Sequence, residues 1–107
     1  NPIQGASIEL NDNRISMFVA QHGKCAISKE PLALGNMVVH HITPKQAGGG
    51  DNYANLILVT PDVHQLIHAK AEETVQKYLN KLKSCKLNMA RLNKLRELAG
   101  NCKIANR

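Results

Sequence analysis

The stretch Thr60-Pro61-Asp62-Val63-His64-Gln65-Leu66-Ile67-His68 decides how the rest of the chain is to be read. Thr60 offers a side-chain oxygen to the free amides of a helix start, Pro61 brings a pre-set φ where no amide bond is lost, and Asp62 places negative charge in the first turn. A helix therefore begins at Pro61. His64 and His68 stand four apart on it, so their rings leave one face about one turn apart and can share a cation.

Upstream, Met37-Val38-Val39-His40-His41-Ile42 and Asn55-Leu56-Ile57-Leu58-Val59 are apolar, partly β-branched runs of strand length. The loop between them is rich in turn formers: Pro44, Gly48, Gly49, Gly50, Asp51 and Asn52. The expectation is a hairpin with a long functional loop. Neighbours on a strand point to opposite faces, so His40 and His41 suit a pair in which one ring turns to a metal and the other to a substrate.

Further upstream, Asn11 to Gly23 reads as a short helix, capped by its first residues and stopped by glycine, with Ile15, Phe18, Val19 and His22 on one face. Residues 1–10 show no period and are expected to be an arm. Lys24 to Ile27 are expected to form a short strand, followed by a turn through Lys29-Glu30-Pro31 and Gly35. Downstream, Val75, Tyr78, Leu79 and Leu82, then Met89, Leu92, Leu95 and Ala99, keep helical spacing. These predict two amphipathic helices with basic outer faces, and a frayed tail from Asn101 to Arg107.

The 107 residues carry a formal charge of +6. Up to Thr60 four bases are matched by four acids, whereas from Pro61 onward ten Lys and Arg face four acids. A basic flank beside a neutral core favours a polyanionic partner. Aromatic residues make up 3% of the chain, which excludes a stacking platform for single strands. Cys25, Cys85 and Cys102 form no C-x-x-C pair and are odd in number, against both a disulfide framework and a cysteine zinc site. With no apolar run of spanning length and no signal-peptide pattern at the start, the expectation is a cytoplasmic protein with no membrane partner. The chain opens on Asn1, so a fragment of a longer protein is expected.

The spacing of His64 and His68 also occurs in the zinc peptidase motif H-E-x-x-H, in which the glutamate is the general base. Gln65 holds that position here and cannot accept a proton, which disfavours a peptidase. Val39-His40-His41-Ile42-Thr43-Pro44-Lys45, Gly48-Gly49-Gly50-Asp51-Asn52-Tyr53-Ala54-Asn55-Leu56 and Asp62-Val63-His64-Gln65-Leu66-Ile67-His68-Ala69 together resemble the HNH endonuclease motif of the ββα-metal nucleases. The segments Asn11-Asp12-Asn13-Arg14-Ile15-Ser16, Gly23-Lys24-Cys25-Ala26 and Leu92-Asn93-Lys94-Leu95-Arg96 resemble, more narrowly, the C-terminal nuclease domain of bacterial group II intron reverse transcriptase/maturases.

The resemblance implies an α+β fold: a ββα-metal finger over about 24–70, with an N-terminal helix and a basic helical extension over about 71–100, in one nuclease domain spanning 1–107. It implies His40, His64 and His68 as ligands of one divalent cation, with magnesium, manganese, zinc and nickel all open, His41 as general base and Asn55 as the residue that orients it. No organic cofactor is needed. The implied partner is DNA, cut by phosphodiester hydrolysis and probed by Lys45 and Arg14, with intron RNA reached through the parent protein in a bacterial cytoplasm. A free imidazole titrates near pH 6.5 and so can take a proton from water at neutral pH.

Many relatives carry a second, structural zinc held by two C-x-x-C pairs. Here Ser28 stands three positions after Cys25, where the second cysteine of the first pair would be, and Thr60 and Val63 replace the later pair, so packing must do the work of that site, with Cys25 as a buried small hydrophobe and His22 as a capping or packing residue. Two other readings use the same residues: a catalytically silent nucleic-acid-binding module, and a metal site that only holds the fold together. The second gives no reason for His41 to stand beside a ligand.

Overall fold

The computed structural model describes residues 8–33 and 35–105. Its fold is α+β: helix α1 (Ile8–Ala20), strands β1 (Val38–His41) and β2 (Leu56–Val59), then helices α2 (Pro61–His68), α3 (Glu72–Lys81) and α4 (Met89–Leu98). β1 and β2 form an antiparallel pair in which His40 faces Ile57 and His41 faces Leu56. The ββα order implied by the resemblance is present, with one helix before it and two after. No helix among the described residues is long and apolar enough to cross a membrane.

α1 corrects two expectations. It begins at Ile8, so the arm expected over residues 1–10 is helical from Ile8 onward, its first seven residues lying outside those described. Its inner face is also the opposite one. Leu10 and Met17 are buried and Phe18 half-buried, whereas Ile15 and Val19 are 64% and 69% exposed. Leu10, Asn13, Met17 and Gln21 share one face by helical spacing, and the two amides explain the choice. The Gln21 amide donates to the Leu58 carbonyl at 3.0 Å and accepts from the Leu58 N–H at 3.0 Å, while the Asn13 amide donates to the Asp51 carbonyl at 2.9 Å. A two-stranded sheet leaves its outer ladder groups unpaired, and Gln21 covers those of β2. His22 (φ 55°) and Gly23 (φ 69°) then end α1 in the left-handed region, with the Gly23 N–H donating to Phe18.

Lys24 to Ile27 are not a strand. Lys24 makes a single bridge to Pro31, and the Cys25 N–H donates to Glu30 while the Lys29 N–H donates to Cys25, closing a tight turn. The Ala26 N–H is drawn instead to the Leu58 carbonyl at 3.2 Å, which fixes the turn on the edge of β2. Cys25, Ala26, Ile27 and Ser28 are all buried there.

Thr60 caps α2 by accepting from the Val63 N–H, and Val63, Leu66 and Ile67 bury the inner face completely. Each such aliphatic side chain contributes about 1.5–3 kcal/mol. Val75 and Leu79 from α3, Leu82 just after it, and Leu92 and Leu95 from α4 complete the same core.

The basic outer face expected of α4 holds for Arg91 and Lys94 but not for Arg96, which is 4% exposed. Its guanidinium donates to the carbonyls of Leu66, Ala69 and Cys102. The tail is ordered by the same contacts: the Asn101 amide donates to Ile67, and the Ile104 N–H donates to Asn93. Asn101 and Ile104 are therefore anchored rather than frayed, because the last turn of α2 needs donors and the tail supplies them, while residues 106 and 107 lie outside those described.

Arg96→Ala strips the buried carbonyls of Leu66 and Ala69 and the part-buried one of Cys102 of their donor, and we expect a loss of roughly 2–4 kcal/mol in urea unfolding at neutral pH. A loss below about 1 kcal/mol would show that water replaces the guanidinium.

Candidate functional site

β1 and α2 bring together the three histidines that the resemblance implies as ligands. His40, buried on β1, faces α2, which presents half-buried His64 and exposed His68. Ring centroids lie 5.5 Å apart for His40 and His64, 5.1 Å for His40 and His68, and 4.6 Å for His64 and His68. One ring nitrogen from each falls within 4.8 Å of the others.

Electrostatics prepare these rings for a cation. Burial, reinforced by His68 and His64, pulls the His40 imidazole down to about 4. Burial also lowers His64, with His68 adding to it, and burial lowers His68. Lone pairs are thus presented at neutral pH without a proton to displace. His40 Nε2 is buried with no hydrogen-bond partner, a costly position that coordination would satisfy. Three neutral nitrogen donors suit zinc, nickel or another borderline divalent ion and leave coordination positions open.

His41 points to the other side of β1. Its Nε2 lies 2.8 Å from Asp51 Oδ1, with the two side chains 19% and 13% exposed. An ionised carboxylate only accepts, so Asp51 holds the ring proton on Nε2 and leaves the Nδ1 lone pair available to a proton donor. Lys45, exposed at the rim, reaches the same carboxylate oxygen at 3.3 Å.

Among the described residues Asn55 makes no hydrogen bond to the His41 ring. Its Oδ1 accepts from the Thr43 N–H at 2.8 Å, and its Nδ2 donates to the carbonyls of Thr43 (3.1 Å) and Gly50 (2.9 Å). Three bonds from one amide clamp both ends of the loop that starts two residues after His41. Gly49 passes beneath the clamp, where a Cβ would lie 1.8 Å from the Thr43 carbonyl oxygen. Only glycine fits that approach.

His40, His41, Lys45, His64 and His68 line one cleft of about 420 Å³, together with Lys70. Arg14 is not brought to it: it sits half-buried on α1 and is not among the cleft-lining residues. Asp51 reads in the sequence only as a turn former. The signal that points to it is a carboxylate ten residues beyond His41 in a hairpin loop, which must fold back toward the strand it left.

Residues 24–70 match the family model of HNH endonucleases. No curated protein and no solved structure matches the chain. The HNH segment holds the hairpin, its loop and α2, and so contains the three clustered histidines, His41, Asp51 and Asn55. α1, α3 and α4 lie outside it.

If the histidine cluster binds a cation, zinc or nickel at about a hundred times its dissociation constant adds about 2.7 kcal/mol to the folded state. We expect the melting temperature to rise by roughly 10 °C on that account. His40→Ala should abolish the rise, read by scanning calorimetry with and without chelator.

Proposed function

We propose that the chain is a metal-dependent endonuclease that hydrolyses DNA phosphodiesters. The observation that carries this reading is the pairing of a three-histidine cation cluster with a carboxylate-held histidine from the adjacent strand position, both on one cleft. The HNH match of residues 24–70 agrees with it.

In this mechanism His40, His64 and His68 hold one divalent cation. When bound, the cation supplies positive charge for a phosphate oxygen and for the oxygen that leaves. Asp51 fixes His41 with its proton on Nε2, so Nδ1 takes a proton from water as the water oxygen forms its bond to phosphorus. The bond from phosphorus to the 3′ oxygen then breaks, and that oxygen is protonated from solvent. Asn55 keeps the loop closed so that Asp51 stays within reach of the ring. Lys45 stands at the rim to meet the phosphate backbone.

The narrower reading, in which one strand is nicked at an insertion site by part of an intron-encoded reverse transcriptase, rests on the residue resemblance alone. A silent binding module on the same fold would have no use for a histidine held by a carboxylate next to a cation ligand.

His41→Ala is expected to keep the fold and cation binding and to lose at least about a hundredfold in nicking of supercoiled plasmid. Full activity in that variant would sink the mechanism. Asp51→Asn keeps the shape but not the charge, and is expected to lower kcat about ten- to a hundredfold with cation affinity unchanged. If plasmid nicking by Asp51→Asn equals that of the unaltered chain, Asp51 does not position the base.

A further inference from the structure

Three cavities adjoin one another through shared lining residues. The first is the cleft of the clustered histidines and His41, and Lys70 forms part of its wall. Lys70 also lines a second cavity of about 470 Å³ between α3, α4 and the tail. Lys103 is shared by that cavity and a third of about 660 Å³, which extends to Lys94. The shared walls make one furrow, with an exposed lysine at its cleft rim (Lys45), at each junction (Lys70, Lys103) and at its far end (Lys94).

The charges along it are uneven. Glu72 and Glu97 are the acids in its walls, and Glu72 already accepts from the Gln76 amide at 3.0 Å. Arg96 faces the second cavity but is committed to backbone carbonyls. Among the described residues no ion pair engages Lys70, Lys94 or Lys103. By contrast Lys77 and Lys81 sit over the Tyr78 ring at 5.4 and 5.3 Å and line none of the three cavities.

Three lysines without an ion pair, Lys70, Lys103 and Lys94, along a groove suit a ligand with charges repeated along its length. Each strand of duplex DNA carries one negative charge per about 3.4 Å of helix axis. We infer that the furrow is a track for the DNA backbone leading away from the scissile phosphate, with Lys70 and Lys103 as its phosphate contacts. The inference rests on the endonuclease reading and adds a direction: substrate leaves the cleft past Lys70 toward α4. It carries the binding surface from Lys70, the last residue of the segment that matches the HNH model, to Lys103 beyond it.

Salt dependence of binding tests it. In the full chain carrying His41→Ala, so that duplex DNA is not cut, K70A/K103A is compared with K77A/K81A, which removes the same charge from elsewhere. Affinity for a duplex is measured by fluorescence anisotropy between about 50 and 200 mM salt. K70A/K103A should flatten the slope of log affinity against log salt by about two, one for each phosphate that is no longer neutralised. K77A/K81A should leave the slope unchanged. Equal flattening by both pairs, or none by K70A/K103A, overturns the track. Plasmid nicking by the chain with His41 intact separates the two claims: nicking with an unchanged K70A/K103A slope leaves the nuclease and removes the track. A flattened slope with no metal-dependent nicking removes the nuclease and leaves a phosphate-binding face.

Discussion

The alternation of side chains along β1 is the constraint on which the site depends. It sends His40 inward to α2 and His41 outward to Asp51, so that the three-histidine cluster and the carboxylate-held His41 share one cleft although His40 and His41 are adjacent in sequence. A slip of one residue against β2 would exchange the two rings. β2 cannot prevent that slip by itself, because Leu56, Ile57, Leu58 and Val59 are all buried and offer no polar face to set the register. The loop sets it instead. Asn55 binds the loop to itself through Thr43 and Gly50, and the Ile42 N–H donates to the Asn55 carbonyl as the ladder closes.

What can be read from the sequence is what local chemistry determines. The Thr60-Pro61-Asp62 start of α2 is written in capping and backbone preferences, and the hairpin is written in two apolar runs with turn formers between them. The spacing of His64 and His68 follows from the helix. α1 departs from its apolar pattern because its packing is not led by apolar residues. Its inner face holds Asn13 and Gln21, whose amides serve backbone groups 38 and 37 residues away, and no local period announces that. Asp51 escapes for the same reason. In sequence it is a turn former among glycines, and only the folded loop brings its carboxylate to His41.

The absence of the second cysteine-ligated site has a visible structural counterpart. Cys25 and Ser28 lie in a buried turn, where the Ser28 hydroxyl donates to Glu30 at 2.9 Å. Thr60 caps α2, and Val63 packs fully buried in the first turn of that helix. The turn is held from below by the Asn88 N–H, which donates to the Ile27 carbonyl at the start of α4. Hydrophobic burial and backbone pairing thus hold this turn.

That dependence reaches the histidine cluster. α2 has eight residues, about two turns, and a helix so short has little stability of its own. His68 lies in its last turn, where carbonyls are left without partners. Those of Leu66, Ile67 and Ala69 are taken by Arg96 and Asn101, both outside the HNH segment. A guanidinium at this end also opposes the negative pole of the helix. The same donors that stabilise the fold therefore fix where His68 stands relative to His40 and His64. The histidines lie in the segment that matches the HNH model, and the end of the helix that carries His68 is held by α4 and tail residues outside it.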